Sequence, residues 1–265
     1  MAGNNAQCPV LTHVREAMPH QSRWGRSHAH FIAENSRKIV VNSESTARAF
    51  AGVDHFQMIY DGLNSPASFP NPTEISHWKK TLNIDPDRPL VGVLGGVSSS
   101  KGHFLLFSAL ARLVELVPDV LVVFVGGKPP ASKTTGVRGK ARQLVTGENL
   151  NVDEIVKAAG VENHVLFTGW VNDPFLVLAA IDVLAFPSII VEGFGRPLVE
   201  AALMGKPVVA FDHGPSPEIV EGDRTGLLVE SGNGDSFVQA VASLLLDPEK
   251  ASKMGGRGRL RALDK

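Results

Sequence analysis

One cysteine and one tyrosine stand in 265 residues, aromatic residues make up only 6%, and neither charge sign is in surplus, with 26 Lys and Arg against 27 Asp and Glu. Each shortage excludes something. A lone thiol, Cys8, cannot close an intrachain disulfide, so a cross-linked secreted scaffold is excluded and a reducing compartment is the default. The balanced charge argues against a polyanion-binding tail and against nucleic acid as a partner. The opening Met1-Ala2-Gly3-Asn4-Asn5 has no basic stretch followed by an apolar one, so it does not read as a secretory leader. The longest apolar run, Phe175 to Val191, is broken by Asp182, Pro187 and Ser188, short of the ~20 uninterrupted residues of a membrane span. A cytoplasmic protein without a transmembrane segment is expected. What is present is 43% hydrophobic residues punctuated by 26 Gly and 17 Pro, enough for a real core in a chain longer than one ordinary domain of roughly 100–200 residues.

From about residue 88 onward, short β-branched apolar runs alternate with amphipathic stretches, the pattern of βαβ units and a parallel sheet. Leu90–Leu94, Val120–Phe124, His164–Phe167, Ile181–Ala185, Pro207–Phe211 and Gly226–Val229 make six expected strands, too apolar to have one wet face. Phe104, Leu105, Ala109, Leu110, Leu113, Val114 and Leu116 recur at helical spacing. Pro197, Gly205 and Pro207 delimit a short helix over 197–204, and Phe237 to Leu245 marks another that stops at Asp247-Pro248. Ahead of this, Pro9–His13, Lys38–Asn42 and Phe56–Tyr60 read as strands, with helices near His30–Asn35 and over Ser43–Phe50. Asp61 to Pro72, rich in Gly, Asn, Ser and Pro, reads as a linker. Two or three strands are too few for an independent doubly wound sheet, so the first 62 residues are expected to be part of something larger.

The segment richest in chemistry is Pro187-Ser188-Ile189-Ile190-Val191-Glu192-Gly193-Phe194-Gly195-Arg196-Pro197-Leu198-Val199-Glu200-Ala201. Glycines before a helix start let backbone approach a ligand, and the unpaired amides of the first turn attract an anion, so a phosphate fits there. Glu200 could accept hydrogen bonds from a vicinal diol such as a ribose, and Glu192 would face whatever lies beyond the phosphate. Taken alone, the two glutamates are better explained as a solvated loop residue and a partner of the helix dipole. In Gly95-Gly96-Val97-Ser98-Ser99-Ser100-Lys101-Gly102 a strand ends in a glycine-rich turn entering a helix, where amides and one ammonium would converge on an anion. By pattern alone a solvated lysine is the simpler reading.

Glu192-Gly193-Phe194-Gly195-Arg196-Pro197-Leu198-Val199-Glu200, followed by Gly205-Lys206-Pro207-Val208-Val209-Ala210, resembles the E-x7-E segment of the retaining GT-B glycosyltransferases of family four, the glycosyl transferases group one. The resemblance extends through Thr168-Gly169-Trp170, His213-Gly214-Pro215-Ser216-Pro217-Glu218 and Gly226–Val229, and covers about 88 to 250 in the family's order. It implies an α/β chain of GT-B type, with one complete Rossmann-like parallel-sheet domain over 63–250, an incomplete acceptor-side N-terminal domain over 1–62 and a truncated helical tail over 251–265. A hexosyl group would move from a nucleoside diphosphate sugar to an acceptor hydroxyl, with no metal or other cofactor. The acceptor could be a glycan, a lipid or a small molecule. The resemblance places Glu192 by the donor sugar and Glu200 on the ribose hydroxyls. It puts Gly193, Phe194 and Gly195 on the diphosphate and sugar, and the turn Thr168-Gly169-Trp170 beside the base. Lys101 matches the family's diphosphate lysine, whereas Gly96 stands where the family usually has an arginine, a gap that Arg196 could partly fill. In Thr12-His13-Val14-Arg15-Glu16 either His13 or Arg15 takes the place of the family's histidine facing the donor.

Other readings stand beside this one. A nucleotide-sugar-binding fragment without turnover of its own and a same-fold sugar-nucleotide epimerase fit the same segments. An NAD-dependent dehydrogenase lacks a G-x-G-x-x-G turn followed by an acid ~20 residues on. His28 and His30, two apart, cannot share a helical face and read as surface residues rather than metal ligands. Lys128, Lys133, Arg138, Lys140 and Arg142 read as a solvated loop, with an acceptor or anionic-lipid contact as the minority reading. Lys253, Arg257, Arg259, Arg261 and Lys265 read in the same way.

Overall fold

The computed structural model describes residues 8–19, 21–63, 66, 68–128 and 151–264. Its described residues divide into two compact units. One is drawn from Met1–Asn64, Val191–Arg196 and His213–Ile219, the other from Ser65–Ile190, Pro197–Asp212 and Val220–Lys265.

The first unit is built on a three-stranded parallel sheet, β1 (Leu11–Val14), β2 (Lys38–Val41) and β3 (Phe56–Met58), in sequence order. Helix α1 (Arg23–Asn35) joins β1 to β2, and Ser22 caps its start by accepting the Gly25 N–H at 2.9 Å. Helix α2 (Glu44–Ala47), continued by a 3-10 turn to Phe50, follows β2. Val14, Ala29, Ile39, Val41 and Phe50 form its small core.

The second unit is a six-stranded sheet among the described residues, comprising β4 (Leu90–Leu94), β5 (Leu121–Val125), β6 (Val165–Gly169), β7 (Val183–Phe186), β8 (Val208–Phe211) and β9 (Gly226–Val229). All its neighbouring strands pair in parallel, in the order β6-β5-β4-β7-β8-β9. Every residue of β4, β5, β7 and β8 is buried, as strands covered on both faces require. The helices of this unit are α3 (Pro72–Thr81), α4 (His103–Leu116), α5 (Val152–Ala158), α6 (Pro174–Ala180), α7 (Arg196–Leu203, whose first residue groups with the first unit), α9 (Gly234–Leu245) and α10 (Pro248–Asp264). Between α7 and α9 lies the single turn α8 (Ser216–Ile219), which belongs to the first unit. Phe107 of α4 packs on the paired Phe124 and Phe167 of β5 and β6, with centroids 4.9 Å apart for the tilted Phe107–Phe124 pair and 5.1 Å for the stacked Phe124–Phe167 pair.

Reading from β4, the sheet grows one way to β5 and β6 and the other way to β7, β8 and β9. This is the doubly wound order, whose direction reverses between β4 and β7. Loops leaving two adjacent strands at that reversal turn to opposite faces and leave a crevice at the carboxyl ends, the place where such folds bind ligands.

Two local expectations need adjustment. The helix expected near His30 begins a full two turns earlier. Helix α3 adds to the expected elements, its start set by the capping box of Asn71 and Glu74 around Pro72. Pro248 opens α10, and Ala251 and Met254 of that helix are part of the main core.

Candidate functional site

The carboxyl end of β4 is shaped by glycine. Gly95 has φ 120°, a conformation closed to other side chains, and its N–H donates to Val125 O at 2.8 Å while Val97 N–H donates to Gly127 O at 3.0 Å. The start of the turn is therefore tied to β5. The turn then folds on itself. Lys101 N–H reaches Ser98 Oγ at 3.3 Å, the Ser98 and Ser100 hydroxyls pair at 3.0 Å, and Gly102 N–H donates to Ser99 O at 2.9 Å. The Lys101 ammonium lies back over Gly95, 3.1 Å from where a Cβ there would stand.

This turn meets the loop leaving β7 within the same unit. Ile189 and Ile190 N–H both donate to Ser100 O at 3.2 Å, and a Cβ on Gly102 would lie 1.7 Å from Pro187 O. The two loops that flank the reversal are thus in direct contact. The β7 loop leads into α7, where Pro197 occupies the first turn and Glu200 is 8% exposed. The helix stops at Gly205, φ 67°, as its sequence punctuation predicts.

On the other side of β4, Thr168 and Gly169 complete β6 and Trp170 begins the loop beyond it. Trp170 is 80% exposed. Its indole Nε1 lies 2.8 Å from where a Cβ on Gly127 would stand, and its ring lies 3.9 Å from the equivalent point on Gly96. An indole with one side over two glycines and the other in solvent is a stacking surface for a planar ring. Lys128 pairs with Asp153 at 2.5 Å and lies 4.1 Å over the Phe167 ring. Lys133, Arg138, Lys140 and Arg142, the rest of the basic stretch, lie outside the described residues.

The remaining candidates belong to the first unit. Gly193 fits where nothing larger would, since a Cβ there would stand 1.8 Å from Arg15 O. Its carbonyl accepts from Thr46 Oγ1 at 3.2 Å, and the same hydroxyl reaches Asn42 Oδ1 at 3.1 Å. Phe194 is buried with its ring 6.0 Å from Tyr60, and Gly195 has φ 81°. Asn42 donates to Arg15 O at 3.3 Å and to Asp61 at 3.1 Å. Arg15, more than half exposed, donates to Asp61 at 2.9 Å. Burial alone would raise the Asp61 carboxyl, but the hydrogen bonds from Arg15 and Asn42 and the guanidinium charge outweigh it and hold Asp61 below the usual carboxylate range. The Arg15 backbone thus packs on Gly193 and its side chain is paired, while His13 is an exposed residue of β1. Glu218 accepts the Glu44 and Ser45 N–H groups at 2.8 and 2.7 Å, and burial raises its pKa against the pull of those two bonds.

The structure gathers Gly96, Lys101, Thr168, Gly169 and Trp170 at the carboxyl ends of β4, β5 and β6. It groups Arg15, Glu192, Gly193, Phe194, Gly195 and Arg196 in the first unit. Sequence reading missed Thr46 as a support of Gly193 and His103 beneath the turn. A serine and a threonine three apart, Ser43 and Thr46, were the available hint of the former. Among the described residues no cluster of three or more His, Cys, Asp or Glu could hold a metal, and no helix is long and apolar enough to cross a membrane. His28 stacks on Trp24 and His30 contacts Glu34 along α1.

A doubly wound sheet with its turns so arranged at the reversal, in a chain that also carries a second parallel sheet, is the architecture of the GT-B glycosyltransferases. The chain belongs to the glycosyl transferases group 1 family, whose model matches residues 74–261. It is 32% identical over 226 residues to the GDP-mannose-dependent alpha-(1-6)-phosphatidylinositol monomannoside mannosyltransferase of Mycolicibacterium smegmatis, covering 82% of this chain and 54% of that protein. It is 28% identical over 218 residues to the alpha-maltose-1-phosphate synthase of the same organism, covering 80% of this chain and 53% of that one. The crystal structure of Anabaena Alr3699/HepE in complex with UDP and glucose superposes with a TM-score of 0.83 at 25% identity, over 99% of this chain and 69% of that one. The chain spans about half the length of the curated relatives it matches.

Proposed function

We propose that the chain serves a retaining glycosyltransferase that moves a hexosyl group from a nucleoside diphosphate sugar to an acceptor hydroxyl. The observation that carries this reading is the contact between the Lys101 turn and the loop leading into α7 at the sheet reversal, with Gly102 sitting against Pro187. Amides, one ammonium and a helix start at such a place suit a diphosphate leaving group, whose charge grows as the sugar departs. Lys101 neutralises that charge, with Arg196 as the second cation. Glu200 holds the ribose hydroxyls and Trp170, beyond Thr168 and Gly169, faces the base. Glu192 orients the sugar, with Gly193, Phe194 and Gly195 offering backbone to it. In the transfer, the acceptor oxygen bonds to the anomeric carbon as the bond to the diphosphate breaks, and the departing phosphate oxygen takes the acceptor proton on the same face. No metal is assigned.

The relatives differ in the nucleotide named with them, GDP-mannose in one and UDP in another, so the base is the first thing to measure. Thermal shift with UDP-, GDP- and ADP-sugars tests the reading, since a ligand at 100 times its dissociation constant adds about 2.7 kcal/mol of stability. Glu200→Gln is then expected to weaken the best ligand by roughly 1–3 kcal/mol in a calorimetric titration, the scale of lost hydrogen bonds to a charged group. Unchanged affinity would remove Glu200 from the ribose, and no stabilisation by any sugar nucleotide would remove the donor site itself.

A further inference from the structure

We infer that His103 is a positioning residue, whose neutral imidazole latches the glycine and serine turn after β4 in the shape that presents Lys101. This rests on the donor site proposed above and assigns a role to a side chain that would touch no ligand. His103 is the first residue of α4 and is 1% exposed. Its Nδ1 accepts the Ser98 backbone N–H at 3.0 Å. A ring nitrogen that accepts carries no proton, so the ring is held as the Nε2–H tautomer. The His103 and Phe124 rings meet edge to face, 5.8 Å apart at 85°, which fixes the imidazole plane against β5.

Ser98 is the residue on which the rest of the turn depends. Gly95 and Val97 are tied to β5 by their own amides, but the Ser98 amide is tied to His103. From Ser98 the order passes on, through its hydroxyl to Lys101 N–H and to the Ser100 hydroxyl, and from Ser100 O to the amides of Ile189 and Ile190. Loss of the latch would therefore loosen both loops at the reversal. Burial, and then the Lys101 charge, depress the His103 pKa to about 4, so the ring remains an acceptor at neutral pH. Lys101 is the charged group acting on it, and from β5 the Phe124 ring packs against it.

The test compares the wild type with His103→Asn, whose carbonyl oxygen can stand near Nδ1, and His103→Leu, which has no acceptor. Backbone hydrogen exchange over residues 95–103 and calorimetric titration with UDP and GDP are the readouts. At pH 7, His103→Leu is expected to speed exchange of the turn and weaken nucleotide binding by about tenfold each, the change that one lost hydrogen bond of roughly 1.4 kcal/mol implies. His103→Asn is expected to recover most of both. Between pH 6.5 and 4 the wild-type turn should lose protection while the Asn variant, which does not titrate there, should keep it. Equal effects of Leu and Asn, or matching pH profiles in wild type and Asn, would overturn the inference. Where His103→Leu does not fold, the comparison of wild type with Asn decides alone. If neither nucleotide binds the wild type, the donor-site reading fails, and the exchange profiles still judge the latch.

Discussion

Gly96 stands where the resemblance implies an arginine on the proposed diphosphate site. A Cβ built there meets nothing nearer than 3.9 Å, the Gly127 carbonyl and the Trp170 ring, and its φ is not in the left-handed region. Space and backbone would therefore accept a side chain, and the missing charge is a matter of residue identity alone. Gly96→Arg is expected to tighten nucleoside diphosphate binding by about 1 kcal/mol, a charge-assisted contact offset by the ordering of a long side chain. Titration with UDP or GDP against the wild type checks it, and weaker binding would mean that Trp170 needs the open floor that glycine leaves.

At the scale of elements, two helix starts illustrate different kinds of dependence. Asn71 caps α3 by accepting the N–H groups of Thr73 and Glu74, while Glu74 reaches back to the Asn71 N–H. That motif is exposed and local, so Asn71→Ala should cost about 1 kcal/mol in urea unfolding without affecting nucleotide binding. Gly102 caps α4 with φ 68° and lies against the Pro187 carbonyl, so its constraint is both conformational and steric. Gly102→Ala must move one of two backbone segments at the reversal and is expected to lose more than roughly 3 kcal/mol, together with donor binding. A Gly102→Ala protein as stable as the wild type would show that the two loops separate at little cost.

For the molecule as a whole, pH sensitivity follows from groups that titrate differently once buried. His103 falls from 6.5 to about 4 on folding, so the unfolded chain binds the extra proton between those values. Stability is then fully present above pH 6.5 and declines as pH drops towards 4, by roughly 3 kcal/mol from this group. Glu218 acts with the opposite sign. Its raised value favours the folded state at low pH and is lost as pH rises through it, a smaller opposing slope because the carboxylate is only half-buried. Urea unfolding at several pH values between 7 and 4 should give a falling midpoint in the wild type and a flatter line in His103→Asn. A flat wild-type profile would contradict the buried neutral histidine.

The sequence by itself determined which segments would be parallel strands, because strands covered on both faces must be apolar at every position, as β4, β5, β7 and β8 are. It also determined where α7 ends, since Gly205 and Pro207 act on their own backbone, and it carried the motif from Glu192 to Glu200. Helix α3 is marked in the sequence by a cap rather than a period, because none of its residues is buried. Only the tertiary structure decided the strand order, and with it the position of the reversal between β4 and β7. Only it decided that Gly102 meets Pro187, that Thr46 holds Gly193 and that the Ser98 amide ends on His103. Helical and strand periods report which face of an element is buried. They carry no information on which distant backbone group a buried polar atom will find, and the site depends on those pairings.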